Sequence, residues 1–199
     1  MIMLTAHTYL RDGMLVAIRD FLLWLFTPIQ KLLQRLSRPE PEMSRDQVTA
    51  ILRRARRGDL LLSYEGGRLT SPFIPGDWDH LAILNENRSV IEAVAPKVRY
   101  VNLEEWLFKK KGVVLIRSKK NRLQASVYAN KFINWPYDYL FKYGNQKAYC
   151  SEIGFLSYHE FDDKFMGHLL KNKEITPQDF YDAAQKQISG LYIILEVRN

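Results

Sequence analysis

The sequence predicts an α+β protein whose β-sheet is mainly antiparallel. Five short apolar runs with strand character follow one another, at 59–64, 80–85, 88–94, 112–118 and 191–197. Strand and helix patterns do not alternate regularly along the chain, which argues against a parallel sheet built from βαβ units. The 199 residues suffice for one substantial core with a small appendage.

The segment at 14–36, MLVAIRDFLLWLFTPIQKLLQRL, predicts an amphipathic helix. Arg19, Asp20 and Pro28 interrupt its apolar run, so it falls short of the roughly 20 apolar residues that a transmembrane helix needs. No convincing signal-peptide cleavage site follows it. The helix either packs on the protein's own core or contacts an anionic membrane surface or a partner. We therefore expect a cytoplasmic protein, or one held peripherally at the inner face of a bacterial membrane.

A charged, Pro-rich linker, SRPEPEMSRDQ at 37–47, follows this helix. A second, short helix is predicted at about 44–57, with Gly58 as its stop. These boundaries divide the chain into a helical extension with a linker, residues 1–57, and a compact domain, residues 58–199.

The first half of the domain carries local signals for strands and turns. The polar turn between the runs at 80–85 and 88–94 predicts a hairpin. The Gly- and Pro-rich segment at 65–79 predicts a loop of the kind that often borders a functional site. The segment at 99–110 predicts a strand end followed by a helical turn, before the strand at 112–118.

Three helices are predicted in the second half of the domain. Residues 121–134 have roughly helical apolar spacing, and another helix begins at Cys150 or Ser151. A third helix has Thr176 as its N-cap and Pro177 at its first position. The strand at 191–197 then closes the domain.

The composition limits the kinds of partner and site. A formal net charge of +7 and a pI near 9.4 favour an anionic partner such as nucleic acid, anionic lipid or an acidic cell-wall polymer, although these charges also suit a solvated surface. No nucleic-acid module accompanies the lysine-rich stretches, so no nucleic acid is expected. The single cysteine excludes an internal disulfide and a Cys-rich metal site. His80 with Asp77 and Asp79 is a weak ligand set, and no metal is expected.

Cys150 lies in KAYCSEIGF, residues 147–155, at the predicted start of a helix. The free N–H groups and the dipole of a helix N-terminus favour an anion, and so favour a reactive thiolate. The same N–H groups, that of Ser151 above all, suit an oxyanion. A lone cysteine is also commonly a small buried hydrophobe. A nearby base is needed to decide between the two interpretations.

Of the four histidines, His80 is the best candidate for that base, because it opens a strand directly after the Gly- and Pro-rich loop. A three-residue turn at Asn85–Asn87 would place Leu84 opposite Arg88. The same register would place His80 directly opposite Glu92, where a carboxylate can orient the imidazole. Considered alone, His80 is best interpreted as a structural histidine at the start of a strand, and Glu92 as an exposed charge on a strand. Together with the cysteine, they predict a Cys–His–Glu triad.

An ordered set of motifs carries a family resemblance. The motifs are GDLLLS (58–63), DHLAIL (79–84), SVIEAV (89–94), GVVLIRS (112–118), WPYDYLF (135–141), YCSEIGF (149–155) and ITPQDF (175–180). Their order and spacing resemble the circularly permuted papain-like cysteine hydrolases of the NlpC superfamily, in the YiiX/YebB/YaeF-like branch, with lecithin retinol acyltransferases as distant relatives. The resemblance covers about 58–197.

The resemblance implies a permuted papain-like fold in which the histidine precedes the cysteine. By matching position, Cys150 corresponds to the nucleophile, His80 to the base and Glu92 to the third polar residue. Asp79 departs from the small polar residue that often precedes the histidine in relatives. No organic cofactor or metal is implied.

The expected function is that of a thiol hydrolase or acyltransferase that forms an acyl-enzyme on Cys150. Its substrate would be a peptide amide, such as one in cell-wall material, or an acyl bond of a lipid. Tyr149, Tyr64 and Trp78 are candidates for lining the substrate groove, although aromatic residues more often belong to a core. Two alternatives from other classes are a catalytically idle, membrane-associated binding module with this fold and a basic nucleic-acid-binding protein.

Overall fold

The computed structural model describes residues 43–64, 76–139, 141, 145–167 and 174–198. The amphipathic helix predicted at 14–36 and most of the loop predicted at 65–79 lie outside these residues, so both stay predictions. Within the described ranges, no helix is long and apolar enough to cross a membrane.

The elements follow one another in an order that agrees with the predicted α+β class. The strands are β1 (Leu60–Tyr64), β2 (His80–Leu84), β3 (Ser89–Val94), β4 (Lys97–Asn102), β5 (Gly112–Ser118) and β6 (Leu191–Arg198). The helices are α1 (Arg45–Arg54), α2 (Leu103–Leu107), α3 (Arg122–Ala129), α4 (Cys150–His159) and α5 (Pro177–Gln185).

The six strands form one sheet in the order β4-β3-β2-β1-β5-β6. Every neighbouring pair is antiparallel, which confirms the predicted sheet type. Alternate side chains of each strand enter different layers, because successive residues of a strand point to opposite faces. Leu60, Leu62 and Leu81 join the core that also contains residues of α3, α4 and α5. Leu61 and Ala82 join a second core with residues of α1 and α2.

Helix α1 ends earlier than the predicted 44–57. Ala55 is already extended, and the Asp59 carboxylate accepts a hydrogen bond from the backbone N–H of Arg56 at 2.7 Å. Arg117 pairs with Asp59 at 2.7 Å and donates to the carbonyl of Arg54, so side chains replace the helical hydrogen bonds that would have followed. Gly58 is therefore not the helix stop.

Gly58 has a different role from the predicted one. Its φ is +84°, and a Cβ there would clash with the carbonyl oxygen of Arg122. Glycine thus allows the chain entering β1 to lie against the start of α3.

The helices in the second half of the domain confirm the sequence predictions. A single turn of 3-10 helix, Asn130–Phe132, continues α3. The Thr176 side chain accepts the N–H of Asp179, and Pro177 occupies the first position of α5.

Helix α4 approaches β2 closely because it carries Gly154. A Cβ at this position would lie 2.7 Å from Leu81 Cδ2, well inside a normal van der Waals contact. Ile153 and Phe155 are buried beside the glycine, in the core that also contains Leu81. This packing fixes the N-terminus of α4, and with it Cys150, against the first residues of β2.

Candidate active site

The β2–β3 hairpin differs in register from the prediction and still places His80 beside Glu92. Ser89 accepts a hydrogen bond from the N–H of Asn85, so the three-residue turn is Glu86–Arg88 and not Asn85–Asn87. Glu92 accordingly lies opposite Ala82, two residues from His80. Moving a turn by one residue changes the pairing register by two, and two positions along a strand share a face. The predicted pairing was wrong, but the predicted face was right.

The conformation of the turn explains the shift. Asn87 and Arg88 have φ values of +54° and +53°, and asparagine adopts this left-handed region more readily than most residues. The Ser89 side chain donates to the carbonyl of Glu86 at 2.8 Å and closes the turn from its C-terminal side.

His80 and Glu92 form a buried pair. His80 Nε2 lies 2.8 Å from Glu92 Oε2, and each side chain is only 2% exposed. Trp106 Nε1 donates to the same oxygen at 2.9 Å. Arg99 donates to the other oxygen, Oε1, from Nε at 3.0 Å and from its terminal nitrogen at 2.9 Å. The carboxylate therefore holds contacts on both oxygens.

These contacts determine the charge of Glu92. Burial alone would raise its pKa, but hydrogen bonds from His80, Arg99 and Trp106 and the charge of His80 outweigh burial and hold the pKa well below its usual range. An ionised carboxylate accepts hydrogen bonds and cannot donate them. We therefore assign the proton of this contact to His80 Nε2, which leaves Nδ1 as the ring nitrogen that faces Cys150.

Cys150 is the first residue of α4 and is 3% exposed. Burial alone would raise the pKa of its thiol, but the hydrogen bond and charge of His80, together with contacts from the Leu81 N–H and Ser151, lower the pKa below its ordinary value. The predicted helix start is confirmed, and the structure brings the three predicted triad residues together. The arrangement favours a thiolate beside an imidazolium.

The Leu81 N–H reaches the sulfur because the β2–β3 ladder ends early. The last pair is Ala82 with Glu92, so Leu81 has no partner in the register with β3. Asn85 donates to Ser89 of the same hairpin, and N–H groups that are an even number of residues apart on a strand point to the same side. The Leu81 N–H thus points to the side of β3, where the Cys150 sulfur takes the place of a strand partner.

Ser151 and Tyr149 anchor the start of α4. Ser151 Oγ donates to the carbonyl of Ile175 at 2.8 Å, and the N–H of Ile175 donates to the Tyr149 hydroxyl at 3.3 Å. Glu152 accepts the Tyr149 N–H at 3.4 Å. The backbone N–H of Ser151 belongs to the first turn, where N–H groups have no partner within the helix. These contacts hold the first turn of α4 in place around Cys150.

The two remaining groove candidates differ in exposure. Tyr64 is 45% exposed at the end of β1, whereas Trp78 is 1% exposed. The Trp78 ring packs 5.7 Å from the ring of Tyr181 and lies 4.7 Å from the Arg198 guanidinium. Trp78 is thus a core residue near the entry to β2, and the assignment of both side chains to a substrate groove stays a prediction.

Arg99 and Trp106 are site residues that the sequence reasoning missed. A signal for Arg99 was present, since a two-residue turn at Ala95–Pro96 pairs Val94 with Lys97 and therefore Glu92 with Arg99. Trp106 had no such signal, because its position depends on how α2 folds back over the sheet.

The weak ligand set considered from the sequence consists of His80, Asp77 and Asp79. Among the described residues, no group of three or more His, Cys, Asp or Glu side chains is placed to hold a metal ion. Asp77, one of the weak ligand candidates, is mostly exposed and pairs with Arg198 at 3.2 Å.

Comparisons with known proteins agree with this architecture. Residues 54–189 match the family described as permuted papain-like amidase enzymes, YaeF/YiiX, C92 family. The uncharacterized protein YiiX of Escherichia coli K12 is 30% identical over 133 residues, which span 60% of this chain and 64% of that relative, just under two thirds of its length.

A solved structure is similar in fold. This structure, of the metalloprotein yiiX from Escherichia coli O157:H7, superposes with a TM-score of 0.56 at 20% identity, covering 72% of this chain and 98% of that one. The order of histidine before cysteine, the six-stranded antiparallel sheet and the match over most of the domain lead to one conclusion. The chain belongs to the YaeF/YiiX family of permuted papain-like amidases.

Proposed function

We propose that this protein is a cysteine hydrolase that cleaves an amide bond through an acyl-enzyme on Cys150. The observation that carries the proposal is the contact of a buried thiol at a helix N-terminus with a histidine whose other nitrogen is bound to a buried carboxylate. Membership of an amidase family supports the hydrolytic chemistry. A peptide, including one in cell-wall material, is the proposed substrate, with a lipid acyl bond as the alternative.

In the first half of the reaction, His80 Nδ1 accepts the thiol proton and Cys150 Sγ attacks the carbonyl carbon of the substrate. The negative charge on the carbonyl oxygen is held by backbone N–H groups at the start of α4, among them that of Ser151. His80 then gives its proton to the leaving nitrogen, the C–N bond breaks and a thioester remains on Cys150.

In the second half, water attacks the thioester while His80 accepts one of the protons of that water. The C–S bond breaks, the acid product leaves, and the proton on His80 returns to Cys150. Glu92 stabilises the imidazolium that forms in each half and stays ionised throughout.

The pH dependence of Cys150 alkylation by iodoacetamide tests this proposal without a known substrate. We expect the wild-type rate to persist well below the ordinary thiol pKa of about 8.5, because His80 stabilises the thiolate. In His80→Asn, the rate at pH 6.5 should fall by about tenfold or more, since each unit of pKa is a factor of ten there.

His159→Asn is the matched control, because His159 lies at the other end of α4 from Cys150. Its alkylation profile should match the wild-type profile. A His80→Asn profile that also superimposes on the wild-type one would contradict the proposed role of His80.

A further inference from the structure

The support of Glu92 goes beyond what a simple triad requires. Its four hydrogen-bonding contacts, from His80, Trp106 and twice from Arg99, are between 2.8 and 3.0 Å long. Only one of these contacts comes from the histidine. The other three come from residues that have no part in the bond-making steps.

The donors Arg99 and Trp106 lie on strand β4 and helix α2, which follow each other directly in the chain. Arg99 lies directly opposite Glu92 in the β3–β4 ladder. Asn102 ends β4 and caps α2 by accepting the N–H groups of Glu104 and Glu105, so α2 follows the strand without a loop. Trp106 is buried in α2, 2% exposed. Its indole N–H donates to Glu92 Oε2 from the core that contains residues of α1 and α2.

A second cation lies behind the tryptophan. Lys110 Nζ is 4.1 Å from the centre of the Trp106 ring, and the residue is 2% exposed. A cation over an aromatic face is attracted by the ring, and this contact helps to hold the ring in place. Trp106 also lies 6.2 Å from the His80 ring, centre to centre. The tryptophan thus has both a buried lysine and the histidine as neighbours.

The protonation state of Glu92 matters for His80. A protonated carboxyl group has an O–H of its own and can donate it to His80 Nε2. A neutral imidazole whose Nε2 accepts a hydrogen bond carries its own proton on Nδ1. An Nδ1–H would face the thiol and could not accept its proton. A buried carboxylate keeps its charge only where donors and cations compensate for the loss of water.

We propose that Arg99 and Trp106 are positioning residues, which hold the Glu92 carboxylate as an acceptor for His80 Nε2–H, so that His80 Nδ1 carries no proton of its own and can take the Cys150 proton. The proposal rests on the proposed function, because it assigns a role within the same thiol site. Arg99 acts by charge and by two hydrogen bonds, and Trp106 by one hydrogen bond without charge.

The charged and titratable groups around Glu92 and His80 come from several neighbouring elements. His80 faces Glu92 from β2, and Arg99 faces Glu92 from β4. Cys150 faces His80 from α4. Lys110 lies beyond Trp106, after α2. Removing the Arg99 charge leaves the Glu92 charge less compensated, and this disfavours the nearby thiolate. A less firmly held His80 would also stabilise the Cys150 thiolate less.

The test is the iodoacetamide pH profile of Cys150 in Arg99→Gln, Arg99→Lys and Trp106→Phe. We expect the midpoint to rise by about one pH unit in Arg99→Gln, which lowers the rate on the acid side by about tenfold. Arg99→Lys keeps the charge and should restore part of the shift. Trp106→Phe should raise the midpoint with no change of charge, so long-range electrostatics cannot produce its effect.

Lys97→Gln is the matched control, since Lys97 is on the same strand and face as Arg99 and contacts Asn134 instead of Glu92. Its profile should match the wild-type profile. Thermal unfolding of each variant distinguishes a positioning role from a purely structural one. A purely structural role would lower the stability and leave the alkylation pH profile unchanged. Where Arg99→Gln fails to fold, Arg99→Lys and Trp106→Phe decide the question.

The results distinguish this inference from the proposed function. A depressed wild-type midpoint that depends on His80 but is the same in Arg99→Gln, Arg99→Lys and Trp106→Phe overturns the inference alone. A wild-type midpoint of about 8.5 that is insensitive to His80 overturns the proposed function as well.

Discussion

At the scale of single residues, Glu92 links the stability of the protein to its chemistry. A carboxylate that is 2% exposed would normally be neutralised by protonation, yet the donors around Glu92 hold it ionised. Its pKa in the folded state is below the value near 4.3 expected for an unfolded chain. The stabilisation from this shift is fully present above that unfolded value and is lost as the pH falls towards the folded pKa.

Glu92→Gln should therefore change how stability depends on acid. In urea unfolding between about pH 5 and 2, the wild-type free energy of unfolding should fall more steeply than that of the variant, which lacks the titrating group. Glu86→Gln is the control, because Glu86 is 58% exposed and pairs only at the surface with Arg57. Equal slopes for wild type and Glu92→Gln would show that the ionised carboxylate contributes nothing to folding.

At the scale of elements, the site depends on where α4 meets β2. Gly154 allows the helix to lie on Leu81. The β2–β3 ladder stops at Ala82 and does not include Leu81, so the Leu81 N–H is available to the sulfur. Neither feature involves a catalytic side chain. Both set the distance between Cys150 and the first residues of β2.

Gly154→Ala should separate these two elements. Alanine favours a helix over glycine by up to about 1 kcal/mol, but a Cβ lying 2.7 Å from Leu81 Cδ2 should cost about 1–3 kcal/mol of unfolding free energy. We expect a net loss of stability in urea and a slower alkylation of Cys150 at pH 6.5. Gly167→Ala, where the nearest atom would be 3.4 Å away, should leave both measurements unchanged. A variant of Gly154 with wild-type stability and alkylation would contradict this account.

The element scale also shows how far sequence reasoning could go. Strand order of appearance, the helix start at Cys150 and the shared face of His80 and Glu92 follow from local patterns with periods of two and 3.6 residues. The exact turn could not be predicted, because three-residue turns at Asn85–Asn87 and Glu86–Arg88 differ only in local backbone preferences. This error shifted the pairing by two residues, and residues two apart on a strand share a face, so His80 and Glu92 were still predicted on the same face.

Contacts that depend on tertiary packing were beyond the sequence. Trp106 reaches Glu92 only because Asn102 caps α2 at the end of β4 and turns it back over the sheet. Likewise, α1 ends at Arg54 because Asp59 and Arg117, which is 58 residues further along the chain, capture its last polar groups. No local sequence pattern predicts the Trp106–Glu92 contact or the end of α1 at Arg54.

At the scale of the whole molecule, the sheet places the site where its two layers meet. Cys150 belongs to the layer of α3, α4 and α5, while Trp106 belongs to the layer of α1 and α2. His80 opens β2 and contacts residues of both layers. The expected contact of residues 14–36 with an anionic membrane concerns residues outside the described ranges and stays a prediction.

The central claim, an acyl-enzyme on Cys150, is tested most directly by intact-protein mass spectrometry. The protein is incubated with p-nitrophenyl acetate and with a panel of peptide anilides and N-acyl lipids, quenched in acid and mapped by peptide. We expect the acyl mass on Cys150 in the wild type, its removal by hydroxylamine, its loss in Cys150→Ser and its much slower formation in His80→Asn. No acyl mass on Cys150 with any donor, or equal acylation in His80→Asn, would contradict the account.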